Sequence, residues 1–143
     1  MTWGSLGSGI LTGAIREKPN FAENDFRNTF YPFYKEPMFS KIQEFLKTMD
    51  AVSQKYGKPL AQIAINWSTQ KSFVTTALTG VRNVHEAEEN CATFEWQLEQ
   101  VDIDLLDSEL LRLGITEPRP RQLDPLRVAQ HVRKGASRAP LSF

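Results

Sequence analysis

The strongest chemical pattern in the sequence is the run Thr79-Gly80-Val81-Arg82-Asn83, where a β-branched stretch ends and a helix is expected to begin. Glycine lets a backbone approach a ligand closely, and the first amides of a helix attract anions. Arg82 adds a guanidinium whose fork suits a phosphate group. The pattern predicts a phosphate site in this turn, and its alternative is a tight turn beside an ordinary surface arginine.

Glycine also punctuates the first segment of the chain, from Thr2 to Gly13, which contains four glycines. This composition is typical of a strand end that passes into a loop whose backbone lies close to a ligand. The next segment, residues 14–38, has no sustained hydrophobic period and is interrupted by three prolines. We therefore predict a long loop there, and loops of this length are usually functional or disordered.

Hydrophobic periodicity predicts two helices after the loop. Apolar residues recur at three- and four-residue spacing from Phe39 to Tyr56, and Gly57 supplies a stop signal. Pro59 suits the first turn of a second helix. The apolar face of that helix consists of Leu60, Ile63, Ala64 and Trp67.

A strand and two further helices are predicted beyond these. Residues Phe73–Thr79 are rich in β-branched side chains and indicate a buried strand. Asn83 and Glu86 have the spacing of a capping box, which opens a helix through about Phe94. The last amphipathic helix carries one apolar stripe, formed by Ile103, Leu106, Leu110 and Leu113.

The element order predicts an α/β architecture. Strands that alternate with helices imply parallel pairing and right-handed crossovers. Two parallel strands cannot cover both of their faces and both of their edges, so we expect a piece of a larger barrel.

Composition limits the class of protein. The chain has 143 residues, 41% of them apolar and 24% charged, which suits one globular domain. No apolar run is long enough for a membrane span, nothing suggests secretion, and Cys91 is the only cysteine, so a cytoplasmic location is expected.

Residues 117–143 form a basic, proline-containing tail of net charge +4, with six Lys or Arg against two acids. Such a tail is more often a loosely attached or disordered segment than a segment that binds nucleic acid. No nucleic-acid partner is therefore expected.

Three blocks of sequence resemble the aldo-keto reductase family. Trp3 to Gly13 resembles the end of the seventh barrel strand of that family, and Pro59 to Trp67 resembles the helix before the eighth strand. Gly80 to Asn83, followed by Glu88-Glu89-Asn90, resembles the segment that holds the 2′-phosphate and adenine of NADP(H). The blocks occur in the family's order, together with a similar closing pattern from Trp96 onward. The resemblance implies a partial (β/α)8 TIM barrel in residues 1–116, made of the last two βα units plus a C-terminal helix.

The resemblance also implies a cofactor site. Trp3 would stack on the nicotinamide, while Gly4, Ser5, Leu6 and Ser8 would line the pyrophosphate. The remaining candidates would hold the 2′-phosphate and the adenine, and these are Gly80, Val81, Arg82, Glu86, Glu89 and Asn90. Without the resemblance, Trp3 would be read as a core residue, Ser8 as a turn former and Asn90 as a helix-surface residue.

The sequence departs from the family pattern at Glu86, where the family usually has Gln or Arg. A carboxylate there would repel a 2′-phosphate and favour NAD(H), unless Glu86 serves only to cap the helix. The resemblance implies NADP(H) as the expected cofactor, and Glu86 leaves NAD(H) as the alternative.

The four family catalytic residues, a tyrosine, a lysine, an aspartate and a histidine, lie on earlier strands. Tyr31, Tyr34, Tyr56, Lys35 and Lys55 match no family catalytic motif. We therefore expect a truncated product of a carbonyl reductase that is inactive alone. The alternative is a non-catalytic nucleotide-binding subunit that assembles with itself or with a separate N-terminal barrel part.

Overall fold

The computed structural model describes residues 1–25 and 27–115. The two strands, β1 and β2, are Thr2–Trp3 and Ala77–Leu78. Within these two ranges there are five α-helices, α1 to α5, at Arg27–Phe30, Met38–Tyr56, Leu60–Thr69, Val84–Cys91 and Gln100–Arg112. Three 3₁₀ segments complete the described residues, at Gly7–Thr12, Pro32–Tyr34 and Ala92–Glu95.

The core lies where α2, α3 and α5 meet. Helix α2 contributes one apolar stripe that is almost completely buried, as the periodicity predicted, and it consists of Phe39, Ile42, Phe45, Leu46, Met49 and Val52. Gly57 ends this helix in the left-handed conformation, with φ of 61°, which glycine adopts without a steric penalty. Helix α5 adds Ile103 and Leu106 to the same core. Burial of this stripe, rather than helix propensity, supplies most of the stability of such helices.

Helix α3 is buried around nearly its whole circumference. Every residue from Leu60 to Asn66 is buried, because α3 packs on α2 on one side and on the Gly7–Thr12 and Ala92–Glu95 segments on others. The predicted apolar face of this helix is therefore only part of its buried surface. Pro59 stands at the N-cap with ψ of 153° rather than inside the first turn.

The two strands pair in parallel, as predicted, with Thr2 opposite Ala77 and Trp3 opposite Leu78. The prediction of a buried strand over Phe73–Thr79 was wrong in length and in burial. Only Ala77 and Leu78 are extended in a ladder, Leu78 is half exposed and Phe73 is largely exposed. Among the described residues, β1 is the only strand that pairs with β2, so neither the ladder nor the burial extends further.

The segment predicted as a loop, residues 14–38, contains α1 and the 3₁₀ segment Pro32–Tyr34. Both are too short to give a hydrophobic period, which is why the sequence did not indicate them. Tyr34 anchors the segment: its ring is buried and its hydroxyl donates to the backbone oxygen of Ser8, 3.0 Å away.

Helix α4 begins as predicted, because the Asn83 side chain accepts a hydrogen bond from the Glu86 amide at 2.9 Å. It ends at Cys91 instead of near Phe94, and a 3₁₀ segment covers Ala92–Glu95. A buried amide accounts for the close packing there: Asn66 donates to the backbone oxygens of Thr93 and Trp96, at 3.2 and 2.9 Å.

The end of the chain is only partly described. The predicted tail at residues 117–143, and the boundary placed after residue 116, lie outside the described residues. Within residues 1–25 and 27–115, no helix combines the length and the apolar character that a membrane span requires.

Candidate functional site

A cleft of about 710 Å³ lies at the carboxyl ends of β1 and β2. The carboxyl ends of neighbouring parallel strands meet at one edge of a sheet, so the residues after Trp3 and after Leu78 form facing walls. All eleven predicted cofactor residues line this cleft, namely Trp3, Gly4, Ser5, Leu6, Ser8, Gly80, Val81, Arg82, Glu86, Glu89 and Asn90. Its volume falls in the range of small-molecule sites.

The first wall is a chain reversal that follows β1. Positive φ angles recur at Gly4 (77°), Gly7 (55°), Ser8 (55°) and Gly9 (94°). Serine rarely adopts this conformation, which costs about 1–2 kcal/mol, and such residues concentrate at functional sites. Trp3 is 76% exposed at the mouth of this reversal, so the interpretation of Trp3 as a core residue was wrong.

The cleft has the open backbone surface that a dinucleotide requires. A Cβ atom built on Gly4 or on Gly80 would meet no atom within 4 Å, so both glycines border empty space. Among the described residues, the amides of Ser5 and Leu6 donate to no oxygen. Close backbone approach and unpaired amides are the two features by which glycine-rich turns bind phosphate groups. The residues present therefore fit the phosphate groups of a nicotinamide dinucleotide.

The second wall is the turn between β2 and α4, and here an ion pair occupies the predicted phosphate site. The Arg82 side chain is 88% exposed and its Nη2 lies 2.6 Å from Glu86 Oε1, while its backbone amide donates to Glu86 Oε2 at 2.8 Å. These hydrogen bonds lower the pKa of Glu86 and raise the pKa of Arg82. The capping box is half formed: Asn83 caps Glu86, but the Glu86 carboxylate binds Arg82 instead of returning to Asn83.

Helix α4 is fastened to α3 behind this wall. Gln62, which is buried on α3, donates to the backbone oxygen of Glu89 at 2.9 Å and accepts from the Trp96 indole at 3.0 Å. Glu89 and the neighbouring Asn90 line the cleft, and a Glu89 carboxylate oxygen also lies 3.9 Å from His85 Nε2. The pattern Pro59 to Trp67 signalled this helix but not this contact.

Four polar residues that line the cleft were not among the predicted site residues, namely Thr12, Arg27, Tyr31 and Thr79. Of these, Arg27 and Tyr31 come from the segment that the sequence indicated only as a loop. The Arg27 guanidinium lies 4.0 Å from the centre of the Phe21 ring and donates to both oxygens of Asp25. No motif marks these residues, because their place in the cleft depends on contacts between their segment and distant residues, such as the bond from the Tyr34 hydroxyl to the Ser8 backbone oxygen.

A second polar cluster contains residue types that carry out proton transfer. The Tyr56 hydroxyl donates to Asp102, which also accepts from Lys55 at 2.8 Å, and the Glu99 amide donates to the same hydroxyl at 2.8 Å. Burial and the bond to Asp102 raise the pKa of Tyr56. None of these residues lines the cleft. The cluster therefore fastens the end of α2 to the start of α5 and does not form part of the site.

Comparisons with known proteins identify the family. The model described as "Aldo/keto reductase family" matches residues 1–110, well over half of the chain. The chain belongs to the aldo/keto reductase family. Members of this family use nicotinamide cofactors. Within the described residues, no group of His, Cys, Asp and Glu is arranged to hold a metal ion.

Relatives within the aldo/keto reductases match only part of their own length. The aldo-keto reductase YhdN of Bacillus subtilis is 28% identical over 103 residues, which are 71% of this chain and 31% of the relative. The aldo-keto reductase yakc [NADP(+)] of Schizosaccharomyces pombe is 26% identical over 98 residues, 68% of this chain and 28% of the relative.

A solved structure shows the same fold. The glycerol dehydrogenase of Gluconobacter oxydans superposes with a TM-score of 0.70 at 27% identity, covering 86% of this chain and 36% of that enzyme. The described chain therefore has the α/β fold of part of an aldo/keto reductase, and it spans about a third of the length of the relatives it matches.

Proposed function

We propose that this chain is the cofactor-binding part of an NAD(P)H-dependent aldo-keto reductase, which reduces carbonyls to alcohols, and that it corresponds to the barrel from the seventh strand onward. The observation that carries the proposal is the cleft: two distant segments, Trp3 to Ser8 and Gly80 to Asn90, become its facing walls. Membership in the family and the fit of the open glycines support the same assignment.

In this proposal each wall binds one part of the dinucleotide. The exposed Trp3 ring stacks on the nicotinamide, and the reversal from Gly4 to Ser8 binds the pyrophosphate through backbone amides. Gly80, Val81 and Arg82 face the 2′-phosphate or the ribose, while Glu89 and Asn90 face the adenine. When bound, the reduced nicotinamide supplies a hydride for a carbonyl carbon.

NADP(H) is the proposed cofactor, with NAD(H) as the alternative. Arg82 and the family resemblance favour NADP(H), as does the bracketed cofactor in the name of the yeast relative. Glu86 supports the alternative, because its carboxylate already neutralises Arg82 and a 2′-phosphate would have to displace it. A Glu86→Gln variant removes this competition and should raise the affinity for NADPH relative to NADH.

The chain is not expected to reduce a carbonyl unaided. Tyr34 and Tyr56 are committed to hydrogen bonds with Ser8 and Asp102, and neither lines the cleft. Tyr31 does line the cleft, but it matches no catalytic motif of the family. The proton donor of the reaction would therefore come from a part of the barrel outside this sequence.

The test is calorimetric titration of the full chain with NADPH and with NADH, followed by an assay of carbonyl-dependent NADPH oxidation. Binding without turnover is expected. Failure to bind either dinucleotide would contradict the assignment of the cleft, and turnover by the chain alone would contradict the absence of a catalytic group.

A second function is favoured by exposed apolar side chains in the two strands and in the turn after β2, namely Trp3, Leu78 and Val81. Such a surface suits a subunit that assembles with an N-terminal barrel part or with a second copy of itself. The mass of the gene product isolated from its own cells distinguishes an assembling subunit from a part of one longer reductase. A mass near 16.3 kDa would favour the assembling subunit. A mass about two to three times larger would identify the chain as part of one longer reductase.

A further inference from the structure

The reversal that forms the first wall of the cleft is connected to the hydrophobic core through Tyr34. Ser8 belongs to the reversal and is exposed, whereas the Tyr34 ring is buried, with 5% exposure. The Tyr34 hydroxyl donates to the Ser8 backbone oxygen at 3.0 Å, across 26 residues of sequence. Ile10, two residues after Ser8, is buried in the same core. The reversal is therefore held from the core by the Ile10 side chain and by a hydrogen bond from a distant residue.

Ser8 requires such support because of its backbone conformation. In the part of the chain that the structure describes, Ser8 is the only residue other than glycine with a positive φ angle, 55°. Gly7 and Gly9 on either side adopt positive φ without a steric penalty, but the Cβ atom of serine makes this conformation unfavourable. A residue in such a conformation persists only where its surroundings determine it. The bond from Tyr34 is a contact of this kind, because it is made to the backbone of the strained residue itself.

Tyr34 is well placed to act as a fixed donor. Its ring packs in the core together with Phe39 of α2, and Phe21 meets it edge-on at 5.0 Å. Burial raises the pKa of the Tyr34 hydroxyl, so the hydroxyl keeps its proton and remains a donor at neutral pH. Tyr34 does not line the cleft. Any influence of Tyr34 on a ligand must therefore pass through the reversal.

We propose that Tyr34 is a positioning residue, which holds Ser8 in its left-handed conformation and so keeps the reversal in the shape that binds the diphosphate bridge of a dinucleotide. The inference rests on the proposed function, because it concerns the binding of the same ligand. Tyr34 touches neither cofactor nor substrate in this arrangement. Because the diphosphate is common to NAD(H) and NADP(H), the affinities for both depend on Tyr34, whereas Arg82 and Glu86 discriminate between them.

The experiment compares the full chain with its Tyr34→Phe variant by calorimetric titration with NADH and with NADPH, in the absence of any carbonyl substrate. Phenylalanine keeps the buried ring and removes only the hydroxyl, so the reversal should adopt its binding conformation less often. Both affinities should fall about fivefold and by the same factor. The affinity for adenosine 2′-monophosphate, which reaches only the second wall, should not change.

Tyr56→Phe is the matched control. It also removes a hydroxyl that is bonded within the fold, to Asp102, but Tyr56 lies where α2 meets α5 and does not line the cleft. Its affinities for both dinucleotides should equal those of the unmodified chain. Thermal unfolding of each variant, followed by circular dichroism, checks that all remain folded. The control thus separates a general loss of stability from a change in the reversal.

Two backgrounds at residue 8 test the route of the effect. Glycine accommodates positive φ unaided, so in Ser8→Gly the further change Tyr34→Phe should lower the affinities by less than about twofold relative to Ser8→Gly alone. Alanine keeps the steric cost, so in Ser8→Ala the same change should retain its loss of about fivefold relative to Ser8→Ala alone. A bond that served only the stability of the fold would not distinguish the two backgrounds.

Several outcomes would overturn the inference. Unchanged affinities in Tyr34→Phe, or equal losses in Tyr56→Phe, would make Tyr34 a structural residue only. A parallel loss of affinity for adenosine 2′-monophosphate would indicate a general loosening of the cleft. An undiminished loss in the Ser8→Gly background would show that Tyr34 does not act through Ser8. If the unmodified chain binds neither dinucleotide, the proposed function is wrong and this inference with it, whereas binding that ignores Tyr34 contradicts only the inference.

Discussion

The helical core and the cleft of this chain are built on different physical grounds. In the core, α2 buries side chains such as Leu46 and Met49 completely, and their positions follow from helical periodicity. In the cleft, Trp3 and Arg82 remain largely exposed. A Cβ atom added at Gly4 or at Gly80 would meet no other atom within 4 Å. The core therefore determines the free energy of unfolding, while the cleft residues are free to serve a ligand.

The largest expected effect is on the core. Leu46→Ala removes a side chain that is 0% exposed, and the resulting cavity should lower the free energy of unfolding by about 2–5 kcal/mol. Urea denaturation measures the change. Leu111→Ala is the control, because Leu111 is 73% exposed on α5 and should cost less than about 0.5 kcal/mol. Equal effects of the two substitutions would disprove the assignment of the core.

The same contrast explains how much the sequence could predict. Helices α2, α3 and α5 were predicted because their apolar residues recur with a period that needs no knowledge of distant contacts. The strand over Phe73–Thr79 was predicted too long because β-branched composition does not reveal whether a partner strand exists. Elements α1 and Pro32–Tyr34 are too short to show any period.

The candidate site was predictable only where motifs mark it. The resemblance to the family implied eleven site residues, and all of them line the cleft, because both strand ends lie at one edge of the sheet. Arg27 was missed, since its position depends on the contacts of Phe21 and Tyr34. The use of Glu86 was also incompletely predicted, because spacing alone does not tell whether its carboxylate binds Asn83 or Arg82.

A glycine at the border between the two regions should have the next largest effect. Gly13 has φ of 75°, and a Cβ atom there would lie 2.5 Å from Leu60 Cδ1 in the core. Gly13→Ala should therefore lower the free energy of unfolding by about 1–3 kcal/mol, the sum of backbone strain and steric overlap. Gly57→Ala has similar backbone strain, with φ of 61°, but no neighbour within 4 Å. The difference between the two variants in urea denaturation isolates the overlap, and a larger loss in Gly57→Ala would contradict this account.

A smaller, pH-dependent effect is expected where α2 meets α5. Burial raises the pKa of Asp102, but hydrogen bonds from Lys55 and Tyr56 lower it more, so the net pKa lies below the ordinary 3.8. A lowered folded-state pKa stabilises the protein above the unfolded value, and this contribution is lost as pH falls through the folded value. Stability measured by urea denaturation should therefore decline below about pH 4 more steeply in the unmodified chain than in Asp102→Asn. Parallel pH profiles for the two proteins would show that Asp102 does not contribute.

The smallest expected effect on stability belongs to the cleft, at Gly80. A Cβ atom added there meets nothing within 4 Å, and its backbone needs no left-handed conformation, so Gly80→Ala should change the free energy of unfolding by less than about 0.5 kcal/mol. In the proposed function the dinucleotide approaches the backbone at this point, so the added methyl group should lower the affinity for NADPH about tenfold. Urea denaturation and calorimetric titration of this one variant measure both quantities. A loss of stability with unchanged affinity would make Gly80 a structural residue, and the separation between core and cleft would then fail at the turn where the phosphate site was predicted.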